Sequence, residues 1–168
     1  QQLGIPCEFE RHIRIEPAAS GLIQHVTETI RYIGHRTLKK GEFLLAPWSI
    51  AQYEAGDDAK VSILAPAEKQ IWDWDNYASS KPYRSIVNDS CVINTITDEN
   101  FQIGLSANIP WCQYVLENQY HVKRYGGELP TGHNYIDISD APPDHPPLAR
   151  GVNLSVYCDS SGFTEVEV

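Results

Sequence analysis

The sequence contains no methionine, and no apolar run approaches the 18 or so residues that a membrane-spanning helix requires. We therefore expect no membrane span. Because the chain begins Gln1-Gln2 without an initiator methionine, we also expect that a signal peptide has been removed from its N-terminus.

Basic side chains are scarce, with 13 Lys and Arg against 22 Asp and Glu, so the formal net charge is −9. This charge repels phosphate backbones and anionic lipid surfaces. Nucleic acid is therefore not an expected partner.

Contiguous catalytic motifs are also missing. The sequence contains no G-x-S-x-G, H-E-x-x-H, G-x-x-x-x-G-K-[ST] or G-x-G-x-x-G. It predicts no catalytic residue, no cofactor and no metal site. One enzyme alternative stays open: a secreted hydrolase or lyase whose His, Glu and Arg residues come from separate strands, because such a site leaves no contiguous motif.

Four cysteines form an even set without a C-x-x-C pair, which favours disulfide bonds over a zinc or redox site. We predict two bonds, Cys7 to Cys158 and Cys91 to Cys112. The pairing of Cys7 with Cys91 and of Cys112 with Cys158 remains open, because sequence separation does not fix geometry.

Two N-glycosylation sequons begin at Asn88 and Asn153. Together with the cysteines and the missing initiator, they predict a secreted, extracellular protein.

Strand-like alternation dominates the chain, which has the length of one domain spanning residues 1–168. In residues 8–16, for example, Phe9, Ile13 and Ile15 share one side and mostly charged residues the other. Similar short runs, among them 60–66, 85–97, 101–107, 152–158 and 163–168, are separated by turn residues. The sequence therefore predicts a mainly β fold, an antiparallel β-sandwich or distorted barrel.

Residues 21–33 are the exception in this pattern. Leu22, Val26 and Ile30 follow helical spacing, with Ser20 as a possible N-cap and Gly34 as a possible C-cap. Although the threonines here favour a strand, we predict one packed α-helix.

Three segments are candidates for function. Trp72, Trp74 and Tyr77 form either a platform for sugars or proteins, or part of the core. Glu165 and Glu167 lie on one side of the last strand, and we interpret them as an exposed edge that discourages aggregation.

The third segment, residues 133–151, contains four prolines that exclude it from a sheet interior. We interpret it as a stiff surface connection or partner-contact loop. Its candidate contact residues are His133, Tyr135, Asp144, His145 and Arg150.

These features predict a small secreted protein, of the effector, toxin or host-interaction type, that acts by binding an extracellular protein or glycan. The alternatives are the dispersed hydrolase or lyase, a lectin-like carbohydrate-binding module and a carrier of a small apolar ligand. The sequence makes no prediction of oligomeric state.

Overall fold

A computed structural model describes residues 4–39, 45, 47–64, 66, 68–106, 108–117, 119–127, 129 and 151–168. The chain divides into two compact units, Gln1–Pro47 and Trp48–Val168. Nearly all regular structure in the described residues is β-strand, and every strand pairing is antiparallel. No helix in this part of the chain is long and apolar enough to cross a membrane.

The strands are numbered in chain order. They are β1 (Cys7–Ala18), β2 (Gly21–Tyr32), β3 (Ile50–Glu54), β4 (Ala59–Leu64), β5 (Ile71–Asp73), β6 (Arg84–Val87), β7 (Ser90–Asn94), β8 (Phe101–Leu105), β9 (Trp111–Leu116), β10 (Tyr120–Tyr125), β11 (Leu154–Asp159) and β12 (Phe163–Glu167).

The first unit is a long two-stranded ribbon formed by β1 and β2, which pair from Cys7 opposite Tyr32 to Ala18 opposite Gly21. Gly21 follows the tight turn with φ of +117°, a conformation that side chains with a Cβ rarely adopt. The predicted helix at 21–33 is therefore wrong. The segment instead forms strand β2, which makes twelve cross-strand pairs with β1 despite the helical spacing of its apolar residues. Its β-branched residues favour this strand.

The second unit is a β-sandwich of two five-stranded sheets. The front sheet has the order β3-β12-β11-β8-β5, and the back sheet has the order β10-β9-β4-β7-β6. The sequence predicted either a sandwich or a distorted barrel. The second unit is a sandwich, because no strand pairing in the described residues joins one sheet to the other and closes a barrel.

The core lies between the two sheets. Inward residues such as Ile103 and Val156 of the front sheet meet inward residues such as Ile63 and Tyr114 of the back sheet, all fully buried. The Tyr114 ring stacks on Tyr53 at 4.4 Å between centroids. The period-two pattern of these strands thus places one set of side chains in the core and the other set on the opposite face of each sheet. On the front sheet Gln102, Ser155 and Glu167 of this second set are also buried.

The predicted disulfides are not formed, since all four cysteines are free. Cys91 on β7 and Cys112 on β9 both pair with Ile63, which lies between them on β4. They are thus two strand spacings apart, about 10 Å, which exceeds the Cα separation of about 7 Å that a disulfide can bridge. Cys158, which we expected to bond Cys7, lies instead with its Sγ 3.1 Å from the Thr164 hydroxyl.

Burial makes three of these thiols unreactive. Desolvation raises the pKa of Cys112 and of Cys158 to about 12, and it also raises the pKa of Cys91. Cys7 is half-buried. We therefore expect iodoacetamide to label the native protein at Cys7 alone and to label all four cysteines after unfolding, as measured by peptide mass spectrometry. Rapid native labelling of Cys112 would contradict the strand order of the back sheet.

Candidate functional site

The front sheet presents an unusual polar face on its side away from the core. Because Phe101, Ile103 and Leu105 point into the core, the residues between them, Gln102 and Gly104, face outward. Strand register adds the neighbours on β11 and β12. We call this surface the front face and define it by Trp72, Gln102, Gly104, Ser155, Tyr157, Glu165 and Glu167.

Glu167 lies at the buried base of the front face, with only 3% of its surface exposed. The Gln102 side-chain amide donates a hydrogen bond to its Oε2 at 2.8 Å and another to the Ser155 hydroxyl at 3.2 Å. No lysine or arginine forms an ion pair with Glu167 in the described part of the chain. The site thus holds a desolvated carboxylate that only neutral donors stabilise.

This environment raises the pKa of Glu167. Desolvation is the main cause, and hydrogen bonds from Ser155 and Gln102 oppose it. Glu165, two residues earlier on the same face, also has a raised pKa because of desolvation, while a hydrogen bond with Glu167 lowers it. The two carboxyl groups therefore lie close enough for each to affect the pKa of the other.

The interpretation of Glu165 and Glu167 as an exposed edge is wrong. β12 lies between β3 and β11, with pairing on both sides, so it is an interior strand. The alternation in the sequence shows that the two carboxylates share a face, but it does not show which strands flank them.

Trp48 is a functional candidate that the sequence analysis did not single out. Its indole lies close enough to the Glu167 carboxyl group to lower the pKa of that group, yet 57% of the residue is exposed. The neighbouring residue, Ser49, continues the pairing of β3 with β12. Its amide donates to the Val168 carbonyl at 2.9 Å, and its carbonyl accepts from the Val168 amide. An indole held at one edge thus presents its ring to solvent beside the carboxyl pair.

A second hydrogen-bonded group lies towards the other end of the front face. The Tyr157 hydroxyl donates to Asp159 at 2.6 Å, and the Asn100 side-chain amide donates to both Tyr157 and Asp159 at 2.8 and 2.9 Å. Burial, followed by the hydrogen bond to Asp159, raises the pKa of Tyr157. This network fixes the Tyr157 ring, against which the Tyr77 ring packs at 5.5 Å between centroids.

The three predicted aromatic residues separate in the structure. Trp72 is half-buried on the front face, where its indole lies so close to Gly104 that a Cβ there would come within 2.7 Å of the ring. Tyr77 is half-buried beside Tyr157. Trp74 is buried and presents no platform to solvent. Trp72 thus lies on the front face and Tyr77 packs beside it on Tyr157, whereas Trp74 is buried.

The remaining predicted contact residues cannot be placed on this face. His133, Tyr135, Asp144, His145 and Arg150 lie outside the described residues. Within the residues described, no group of three or more His, Cys, Asp and Glu side chains is arranged to hold a metal ion.

The two sequon asparagines have opposite environments. Asn88 is exposed in the two-residue turn between β6 and β7, where it and Asp89 both have positive φ, 49° and 62°. Asn153 is 7% exposed, and its Nδ2, the atom that carries an N-linked glycan, donates to the Gly127 carbonyl at 3.0 Å. Only Asn88 presents a free amide in the folded protein.

Comparison with known proteins finds no match: no protein-family model, no curated protein and no solved structure matches the chain.

Proposed function

We propose that this protein acts outside the cell by binding carbohydrate on the front face of its sandwich. The observation that carries the proposal is the exposed Trp48 ring held beside the buried Glu167 carboxylate. A flat aromatic surface next to fixed hydrogen-bond acceptors matches a sugar ring, which has an apolar face and hydroxyl groups along its edge.

The burial of Glu167 supports a functional role for this face. Removing a carboxylate from water without a cation partner is unfavourable for folding. A residue whose pKa is raised by desolvation, grouped with other polar side chains, is a candidate for ligand binding on physical grounds. Gln102 and Ser155, which are also buried, hold the Glu167 carboxylate in place, and the half-buried Glu165 adds a second carboxylate on the same face.

The negative charge of the front face restricts the class of ligand that it can bind. The pair of Glu165 and Glu167 is repelled by phosphate and sulfate groups, whereas neutral hydroxyl groups donate hydrogen bonds to carboxylates. Protein-binding surfaces are also depleted in glutamate and aspartate. A neutral glycan therefore suits this face better than a nucleic acid, an anionic polysaccharide or a protein surface.

The hydrolase alternative is less well supported by the same pair. Glycoside hydrolases separate their two carboxyl groups by about 5 Å or more, so that the scissile bond or a water molecule fits between them. In this protein Glu167 is only 3% exposed, so a scissile bond has little room beside its carboxyl group. The burial of Glu167 therefore disfavours hydrolysis.

A glycan array followed by calorimetry tests the proposal. We expect a neutral glycan to bind with a Kd of micromolar order or weaker, and Trp48→Ala to weaken binding about tenfold, since an aromatic stacking contact contributes roughly 1 kcal/mol. Trp111→Ala is the matched control. It removes a tryptophan from the outer side of the back sheet, where Lys123 lies 3.9 Å from the ring centroid.

Two outcomes would overturn the proposal. One is the absence of any glycan signal at high micromolar protein concentration. The other is equal loss of affinity in the Trp48 and Trp111 variants, which would place the ligand away from the front face. Release of reducing sugar from the bound glycan would instead support the hydrolase.

The extracellular location rests on the sequon at Asn88, since the free cysteines supply no disulfide. We expect the protein to carry a glycan at Asn88 and none at Asn153 when it is expressed through a glycosylating secretory pathway. Enzymatic deglycosylation in heavy-oxygen water, which marks each occupied asparagine, measures both sites. Asn88→Gln is the control and should carry no glycan. Occupancy at Asn153 would contradict the buried amide, and an empty Asn88 would remove this support for secretion.

A further inference from the structure

The ribbon of β1 and β2 has one apolar face that water contacts. Register places Phe9, Ile13 and Ile15 of β1 on the same face as Leu22 and Val26 of β2. Each of these side chains belongs to a residue that is between 40% and 74% exposed. An isolated two-stranded ribbon is only marginally stable in water, and a contiguous exposed apolar surface marks an interaction site.

One ion pair interrupts this apolar face. Arg11 and Glu28 are directly opposite each other, and the Arg11 guanidinium contacts Glu28 Oε1 at 2.5 Å. The Glu28 side chain is only 6% exposed, whereas that of Arg11 is 54% exposed. The second oxygen, Glu28 Oε2, is buried and has no hydrogen-bond partner within the described part of the chain. The face therefore contains one covered carboxylate next to a guanidinium group that projects outward.

We propose that the apolar face of the ribbon packs against the same face of a second copy of this chain. A two-fold axis along the ribbon places β1 of one copy over β2 of the other. Because Arg11 and Glu28 are directly opposite each other within the ribbon, Arg11 of one copy then lies over Glu28 of the second copy. The two-fold symmetry forms this contact twice. The exposed Arg11 guanidinium of each copy thus faces the opposite charge of Glu28 on the other copy, and the paired charges leave the interface neutral.

The size of the face agrees with a weak dimer. At about 3.3 Å per residue, a twelve-residue strand is about 40 Å long, and two strands with their side chains are roughly 10 Å wide. Each copy then contributes on the order of 400 to 500 Å², so the dimer buries about 800 to 1,000 Å², the range of weak and transient interfaces. We expect a Kd on the order of 10 µM. This proposal does not depend on the ligand of the front face.

Sedimentation velocity of the full chain between 1 and 500 µM tests the proposal. Wild type should shift from monomer to dimer with increasing concentration, and Val26→Glu should weaken the dimer at least tenfold. Thr27→Glu is the matched control, because it adds the same charge at the adjacent exposed position on the opposite face of the ribbon. The control should dimerise like wild type.

Reciprocal charge reversal gives a sharper result. Arg11→Glu and Glu28→Arg should each be monomeric alone, because like charges meet across the interface. An equimolar mixture of the two variants should form a heterodimer, because every cross-copy contact then joins opposite charges. Recovery on mixing requires the two faces to meet, and a merely structural role of the ion pair would not produce it.

Hydrogen exchange of wild type supplies a measurement that does not depend on whether a variant folds. The amides of β1 and β2 should exchange more slowly at 500 µM than at 5 µM. A monomer at every concentration, or a dimer that Val26→Glu leaves unchanged, would overturn the proposal. So would concentration-independent exchange accompanied by binding of the monomer to phosphatidylcholine vesicles, which would assign the face to lipid.

Discussion

The Glu167→Gln variant is expected to be more stable than wild type at neutral pH and to bind the glycan ligand more weakly. Glutamine has nearly the same shape and retains an oxygen that accepts the hydrogen bond from Gln102, but it carries no charge to desolvate. We expect the free energy of unfolding to rise on the order of 1 kcal/mol. Affinity should fall about tenfold, because the negative charge that attracts sugar hydroxyl groups beside Trp48 is lost.

The gain in stability should depend on pH in a defined direction. The folded-state pKa of Glu167 is raised above its ordinary value of about 4.3. Between these two pKa values the folded protein binds more protons than the unfolded chain, so stability falls as pH rises. The stabilising contribution of protonated Glu167 is fully present below about pH 4 and is lost as pH rises through the folded pKa. The variant lacks this dependence, so its advantage should be greatest at neutral pH and should vanish in acid.

Chemical denaturation at a series of pH values, together with calorimetry of glycan binding, measures both effects. Glu54→Gln is the matched control, because Glu54 is an exposed carboxylate on the same sheet. That control should change neither stability nor affinity appreciably. A destabilised Glu167→Gln protein at pH 7 would show that the charge of Glu167 is needed for folding, and it would contradict our account of the buried carboxylate.

The Phe101→Ala variant is expected to lose about 3 to 5 kcal/mol of stability, the usual effect of removing a buried phenylalanine. Phe101 is fully buried between the sheets, and Tyr83 stacks on its ring at 5.3 Å between centroids. Since a typical domain is stable by only about 5 to 15 kcal/mol, the variant should unfold at a much lower denaturant concentration. The midpoint and slope of urea unfolding measure this change.

Phe163→Ala provides the comparison for this prediction. Phe163 begins β12 and is half-buried at the margin of the sheet, where its ring lies 6.0 Å from Tyr157. Its removal should have a clearly smaller effect. Equal effects of the two substitutions, or a loss below about 1 kcal/mol for Phe101→Ala, would contradict a core packed between two sheets.

The strands of the sandwich were largely predictable because their signal is local. The alternation in residues 60–66, 101–107, 152–158 and 163–168 predicted β4, β8, β11 and β12 within a few residues. Alternation records which side chains share a face, and burial of one face makes that pattern necessary. The mainly β, antiparallel fold follows from this signal.

Local turns were less well predicted. The run at 85–97 was interpreted as one strand, but it contains the end of β6, the turn at Asn88 and Asp89, and all of β7. The Asn-Asp dipeptide permits positive φ at both positions, and this is the signal that could have divided the run.

The candidate site could not be predicted because it depends on pairing between distant segments. Glu167 is buried because β12 lies between β3 and β11, and no local pattern encodes that position. For the same reason, the separation of Cys91 from Cys112 depends on β4 lying between their strands. The alternation did contain Gln102 and Ser155 as outward residues, but it did not indicate that they would meet Glu167.

The modification rates of the three buried thiols also report on motions of the sandwich. Cys91 and Cys112 belong to the back sheet and Cys158 belongs to the front sheet. Each can be modified only during excursions that expose its own strand. Following the three modification rates in parallel would reveal whether the layers part together or one of them loosens first.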